Sequence, residues 1–122
     1  MPVKRKRLRR RKNPEPDILV PDPEDRLVLI TAARWAHVLE DHGRLVGRFN
    51  DLVRAIAQPD WISLRSGTHH PALAYYRQCP DMLLRVIVNF QPKNKFVLGT
   101  AYKAFGPDEA REEVIWTSSG SI

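Results

Sequence analysis

The chain of 122 residues has the length of one domain, and its hydrophobic fraction of 43% is sufficient for a buried core. No run approaches the roughly 18 consecutive apolar residues of a membrane-spanning helix, and no apolar segment follows the basic start as in a secretory signal. The single Cys79 excludes an internal disulfide. We therefore expect a cytoplasmic protein without a membrane partner.

The net charge of +6 is unevenly distributed along the chain. Eight of the 20 lysines and arginines lie in residues 4–12, which leaves 12 basic and 14 acidic residues, a net charge of −2, in the rest. We expect residues 1–13 to form a disordered basic tail, in which residues 4–12 bind polyanions through counterion release. A tail that only solubilises or sorts the protein is the alternative.

The first half of the chain predicts a linker and two helices. Residues 14–26 hold four prolines and five acids, which is typical of an extended linker. The apolar run "LVLI" (27–30) suits either a strand or the approach to a helix. Thr31 is a good N-cap for the first helix, and Gly43 is a natural stop. A second helix is predicted over residues 45–57, and the sequence "QPD" that follows at 58–60 ends it.

After Pro59 the hydrophobic pattern changes from helical to alternating. β-Branched and aromatic residues dominate four segments separated by turn-like sequences, namely 61–65, 72–77, 83–90 and 95–105. The residues from Arg111 onward add a fifth strand at the edge. The sequence thus predicts an α+β fold, with two N-terminal helices followed by a twisted four- or five-stranded antiparallel β-sheet meander. We assign this domain to residues 27–117 and a flexible C-terminus to residues 118–122.

The order of these signals resembles a known family. The segments are "LVLITAARWAHVLEDHGRL", "AIAQPDWI", "YYR", "LLRVIVNF" and "FVLGTAYKA", and together they span residues 27–104. They resemble the phage-associated nuclease domains of the barnase–EndoU–colicin–RelE superfamily. The matching positions are Trp35, His37, His42, Pro59, Asp60, Thr100, Ala101 and Tyr102. The sequence departs from the family at Gly43 and Arg44, where a proline and a glutamate are common.

The resemblance implies a metal-independent endoribonuclease of toxin or mobile-element type, with RNA as its substrate and no cofactor. It implies a site on the sheet beside the first helix. It also implies a partner protein that acts as an inhibitor, an immunity protein or an antitoxin.

Cleavage of RNA without a metal uses the ribose 2′-OH as the nucleophile, and it needs a base, an acid and donors for the charged phosphorane. Histidine suits both proton roles, arginine grips phosphate, and tyrosine stacks on bases or donates from its hydroxyl. The candidate catalytic residues are His42, His37, Thr100 and Tyr102. The candidate substrate-binding residues are Arg85, Arg65, Arg77, Tyr76 and Tyr75.

Helical geometry separates the two histidines of the first helix. Five positions at about 100° each place His37 and His42 about 140° apart around a regular helix. His42 shares the face of Trp35 and Leu39, and the helix dipole at the C-terminus favours an imidazolium, which suits a general acid. We therefore prefer His42 to His37 as the catalytic histidine. A purely structural histidine is the alternative for each.

The strand residues give further expectations. One face of the last strand is predicted to hold Phe96, Leu98, Thr100 and Tyr102. On this face the two apolar residues would lie in the core, and the two hydroxyls that follow would lie in a site. Ordinary alternation at the end of a strand is the alternative. Arg85 interrupts an apolar run and needs either solvent or an anion.

The remaining candidates differ in where they can point. Tyr75 and Tyr76 face opposite sides of their strand, so at most one of them lines a given site. Arg65 ends its strand beside a turn that contains His69 and His70. These histidines, like the helical pair, lack zinc-binding spacing, so we expect no metal.

Two other functions fit the same sequence. One is a non-catalytic RNA-binding or ribosome-associated accessory protein that uses the tail and the tyrosines. The other is a partner-binding domain whose tail is unrelated to its activity.

Overall fold

In a computed structural model of the chain, the fold is described for residues 17–66, 71–106 and 112–119. The predicted basic tail and the two adjacent histidines, His69 and His70, lie outside these residues. The elements in chain order are β1 (Ile18–Pro21), β2 (Leu27–Ile30), α1 (Ala32–Asp41), α2 (Phe49–Ala57), β3 (Trp61–Arg65), β4 (Ala72–Gln78), β5 (Leu83–Gln91), β6 (Lys95–Ala104) and β7 (Glu112–Thr117). None of the helices in these ranges is long and apolar enough to cross a membrane.

The seven strands form one sheet in the order β1-β2-β6-β5-β4-β3-β7. Neighbouring strands are antiparallel, except that β2 and β6 run parallel. The α+β class is confirmed, and β7 is an edge strand as predicted, although it pairs with β3 and not with the strand that precedes it in the chain. The predicted arrangement is wrong in two respects, because the helices lie between β2 and β3 rather than at the N-terminus and the sheet is larger and mixed.

The hairpin of β1 and β2 accounts for the additional strands. The stretch predicted as a linker contains β1, whose apolar residues from Ile18 to Val20 pair with the apolar run of β2. The acids and prolines that follow form the connecting turn. Asp22 organises this turn, since its Oδ1 accepts hydrogen bonds from the backbone N–H groups of Glu24 at 2.8 Å and Arg26 at 2.9 Å. The average composition of residues 14–26 therefore hid a short strand.

Asp22 also ties the hairpin to the middle of the sheet. Its carboxylate is buried, and its Oδ2 accepts hydrogen bonds from Tyr75 Oη at 2.6 Å and from Arg26 Nη1 at 2.7 Å. Burial, and then the hydrogen bond to Asp22, raise the pKa of Tyr75 well above the ordinary value of a tyrosine. Tyr75 is thus held as a neutral donor inside the core.

Helix α1 begins where its sequence predicts. Thr31 is the N-cap, and its Oγ1 accepts a hydrogen bond from the backbone N–H of Arg34 at 3.0 Å. The helix ends at Asp41, with His42 as the C-cap. Helix α2 starts at Phe49 rather than near residue 45, because a single 3-10 turn over Gly43–Leu45 intervenes and Gly47 adopts a positive φ of 80°.

The two faces of the sheet have different partners. On one face, which we call the helix face, Ile62, Tyr75 and Val86 are cross-strand neighbours in the main core. That core also contains Trp35 and Ile56 from the two helices. On the other face, the open face, a second cluster is built from sheet residues, namely Ala72, Ala74, Tyr76, Ile87 and Ala104 with Trp61, Leu83 and Tyr102. Tyr75 and Tyr76 therefore lie on opposite faces, as alternation requires.

A bulge in β6 changes which of its residues share a face. Ile87 on β5 pairs with Thr100, but the next residue of β5 pairs with Leu98, so Gly99 is extra. Leu98 consequently lies in the helix-face core, whereas Thr100 and Tyr102 lie on the open face. The prediction that Phe96, Leu98, Thr100 and Tyr102 share one face is therefore wrong.

The contact between Tyr75 and Asp22 yields a testable prediction about stability. We expect Tyr75→Phe to lower the free energy of unfolding by about 1–3 kcal/mol, because it removes one donor from a buried carboxylate. Urea denaturation measures this change. The matched control is Asp25→Asn, an exposed acid in the same turn with a φ of 66° that asparagine adopts readily.

The same variant tests the raised pKa of Tyr75. An unfolded tyrosine ionises near pH 10, whereas folded Tyr75 stays protonated, so the free energy of unfolding should fall as the pH rises above about 10. This part of the pH dependence should disappear in Tyr75→Phe. An equal slope in the wild type and the variant would contradict the assignment.

Candidate functional site

A row of four aromatic and basic side chains crosses the open face. Trp61 on β3, Tyr76 on β4, Arg85 on β5 and Tyr102 on β6 are successive cross-strand neighbours. The rings of Trp61 and Tyr76 stack with centroids 4.5 Å apart. The Arg85 guanidinium carbon lies 5.7 Å from the ring centroid of Tyr76 and 5.4 Å from that of Tyr102. Arg85 is therefore sandwiched between two tyrosines.

Glu112 at the start of β7 neutralises this row. Its carboxylate accepts hydrogen bonds from Arg85 Nη2 and, at 2.5 Å, from Tyr76 Oη, and it lies 3.9 Å from Arg65 Nε. The Glu112 side chain is only 1% exposed and that of Arg85 11%. Arg85 Nη1 donates to Tyr102 Oη. The charge of Arg85 is thus compensated within the protein.

The sequence did not single out Glu112 as a functional residue. Its one signal is the pairing of opposite charges, because Glu112 lies across from Arg65 in the register of β7 and β3. That pairing joins distant parts of the chain, so it becomes visible only when the order of the strands is known.

Four buried side-chain atoms of β3 and β5 have no hydrogen-bond partner in the described part of the chain. They are Trp61 Nε1, Ser63 Oγ, Arg65 Nε and Arg85 Nε. Unsatisfied buried donors reduce stability.

Tyr102 connects the row to His42. The imidazole of His42 lies with its centroid 5.5 Å from that of the Tyr102 ring, at an angle of 41°. The topology accounts for this meeting, because β2 pairs in parallel with β6 at Val97 and leads directly into α1. The ten-residue α1 advances about 15 Å, and β6 advances about 17 Å from Val97 to Tyr102. The end of α1 therefore lies beside Tyr102.

An open cleft lies at this junction. It has a volume of about 430 Å³ and is lined by Asp41, His42, Gly43, Arg44, Tyr102, Lys103 and Phe105. Arg44 reaches it from the 3-10 turn after α1, Lys103 lies near the end of β6, and Phe105 directly follows that strand. The lining combines aromatic rings with two cations and one carboxylate. Such a surface favours an anion that carries a planar group.

Several predicted site residues are brought together here. His42 and Tyr102 line the cleft, and Tyr102 is bonded to Arg85. Tyr76 and Arg65 are linked to Arg85 through Glu112. Thr100 lies on the same face as Tyr102, two residues earlier, opposite Ile87.

Three other predicted residues lie elsewhere. The side chain of His37 is 55% exposed, and its Nε2 lies 3.5 Å from Oδ2 of Asp41, a residue of the cleft lining. Tyr75 lies on the helix face, bonded to Asp22. Arg77 donates to the backbone oxygen of Gln58 at 2.7 Å. None of these three residues lines the cleft, and only His37 contacts a residue that does.

Comparisons with known proteins add no assignment. No family model, curated protein or solved structure matches the chain. The resemblance to the nuclease superfamily therefore stays a prediction from motifs. Among the described residues, no group of three or more histidine, cysteine, aspartate or glutamate residues is placed to hold a metal ion.

The buried ion pair of Arg85 and Glu112 predicts a loss of stability when one partner is removed. Glu112→Ala should lower the free energy of unfolding by about 3–5 kcal/mol, because Arg85 is left as an uncompensated buried charge. Chemical denaturation measures the change, with Glu113→Ala, the exposed acid next to it, as the matched control. The double variant Glu112→Ala with Arg85→Met should be more stable than Glu112→Ala alone. If the losses of unfolding free energy caused by Glu112→Ala and Arg85→Met simply add in the double variant, the two groups do not act as a buried pair.

Proposed function

We propose that the chain is a metal-independent endoribonuclease that cleaves RNA by transesterification through the 2′-OH, with its site in the cleft between α1 and β6. One observation carries the proposal: His42 lines a cleft beside Tyr102, with Arg44 and Lys103 in the same lining. An acid, a hydroxyl donor and two cations are the groups that this reaction needs around a phosphate.

The proposed steps use the residues of the cleft. Asp41, the acid of the lining, takes the proton of the 2′-OH, and the 2′-oxygen attacks phosphorus. The bond to the 5′-oxygen breaks, and His42 as an imidazolium protonates this leaving oxygen. The products are a 2′,3′-cyclic phosphate and a free 5′-OH.

Tyr102, Arg44 and Lys103 stabilise the phosphorane in this proposal. Because Arg85 donates to Tyr102 Oη, the proton of the tyrosine hydroxyl remains available to a phosphate oxygen. Arg44 and Lys103 supply positive charge from two sides of the cleft. Arg85, whose charge Glu112 compensates, positions Tyr102 instead of binding phosphate itself.

A different observation favours a second function, a non-catalytic RNA-binding or ribosome-associated accessory protein. His37 is exposed outside the cleft, so the cleft contains one histidine rather than an acid–base pair. Such a protein would use the same cations and rings only to bind RNA. If the endoribonuclease is of toxin type, the inhibitor, immunity protein or antitoxin that the resemblance implies would cover the cleft with acidic side chains.

Replacement of each histidine separates these functions. We expect His42→Ala to slow the cleavage of a labelled RNA in EDTA by about 10²–10⁴-fold, the usual contribution of a general acid. Because His37 contacts the proposed base Asp41, His37→Ala should slow cleavage much less than His42→Ala does. The matched control from the same helix is Ala33→Gln, at an exposed position, which should cleave at the wild-type rate. Wild-type protein that binds RNA but leaves it intact would favour the accessory function, and equal losses in both histidine variants would refute the role of His42.

The basic tail makes a separate contribution to binding. Replacement of the eight lysines and arginines of residues 4–12 by glutamine should weaken RNA binding and flatten its salt dependence, because each lost phosphate contact removes about 0.7 from the slope for a single strand. Titrations between low and high salt measure the slope. If affinity and slope stay unchanged, the tail has no part in binding.

A further inference from the structure

Phe105 is an apolar side chain in an unusual position. Phe105 is 96% exposed at the rim of the cleft, whereas Val46, the next most exposed large apolar residue among those that the structure describes, is 67% exposed. Lys103 Nζ lies 5.6 Å from the Phe105 ring centroid. A ligand in the cleft that covers this ring gains the free energy of burying it.

The surroundings of Phe105 decide the chemistry of that ligand. Arg44 and Lys103 line the same cleft, which favours an anion. A cleft of about 430 Å³ lies at the lower end of the range for small-ligand sites and accommodates a group of about one nucleotide.

The geometry points to an unpaired nucleotide as the ligand of this cleft, with its base stacked on Phe105 and its phosphate against Arg44 and Lys103. A base inside a duplex has both faces covered by its neighbours, whereas a base in a single strand offers a face to an aromatic ring. The site therefore selects single-stranded over double-stranded nucleic acid. This inference rests on the proposed function only in taking nucleic acid as the ligand.

Stacking requires no 2′-OH, so the preference for single strands extends to DNA. Selection of RNA would then arise in the chemical step, because DNA lacks the nucleophile. Phe105 would act as a binding residue and not as a catalytic one.

The test compares binding of one labelled sequence in three forms: single-stranded 2′-O-methyl RNA, its duplex, and single-stranded DNA. The methylated strand cannot react through its 2′-oxygen, so the full-length wild-type chain can be used. Elevated salt weakens the contribution of residues 4–12 to all three. We expect the single strands to bind about tenfold more tightly than the duplex, the scale of one stacked base.

Two variants isolate the ring. Phe105→Ala should weaken single-strand binding about tenfold and leave duplex binding unchanged, while Phe105→Trp should retain the preference. Leu19→Ala, which truncates another exposed apolar residue, serves as the matched control and should bind as the wild type does. Equal affinity of the wild type for single and double strands, or an equal effect of Phe105→Ala on both, would overturn the inference.

The outcomes also separate this inference from the proposed function. If His42-dependent cleavage occurs but acts equally on single and double strands and ignores Phe105, the inference fails and the nuclease stands. If the single-strand preference depends on Phe105 but unmodified RNA is never cleaved, the nuclease fails and the inference stands.

Discussion

The buried ion pair of Arg85 and Glu112 is the interaction on which the open face of the sheet depends. Arg85 lies on β5, near the middle of the sheet, and Glu112 begins β7 at the edge, with β4 and β3 between them. Main-chain hydrogen bonds do not connect these two strands, so the side chains do. Two buried charges remain stable together only when further hydrogen bonds satisfy them, and the hydroxyls of Tyr76 and Tyr102 supply these.

From this pair a continuous set of contacts runs to the end of α1. Arg85 bonds the hydroxyl of Tyr102, and the Tyr102 ring lies against His42. Glu112, which does not line the cleft itself, thereby influences how Tyr102 is oriented in it. The bulge at Gly99 belongs to the same arrangement, because without the extra residue Thr100 and Tyr102 would face the helices.

Local signals in the sequence predicted what local physics controls. The cap at Thr31, the opposite faces of Tyr75 and Tyr76 and the strand pattern after Pro59 all depend on neighbours along the chain. The errors came from non-local or averaged features. Composition over residues 14–26 concealed the apolar core of β1, and strict alternation along β6 overlooked the bulge at Gly99.

The candidate site shows the same division. His42 and Tyr102, which the sequence singles out by residue type and by the family resemblance, both line the candidate cleft. Glu112 was not selected from the sequence, because its role arises from the pairing of β7 with β3, which no local pattern encodes. Arg44 and Phe105 were not selected either, because a turn and the residue after a strand have no periodicity that predicts where a side chain points.

The positive charges of the tail and of the cleft have different roles in the proposed binding of nucleic acid. Residues outside 4–12 carry a net charge of −2, so the folded part as a whole does not attract a polyanion. At physiological ionic strength charges act over about 8 Å, and the cations of the cleft, Arg44 and Lys103, therefore act only on a phosphate already close to it. In the proposed function, a tail with eight cations raises the local concentration of nucleic acid without choosing among sequences. Selection in that proposal comes from Phe105 and His42, whose interactions operate at contact distance.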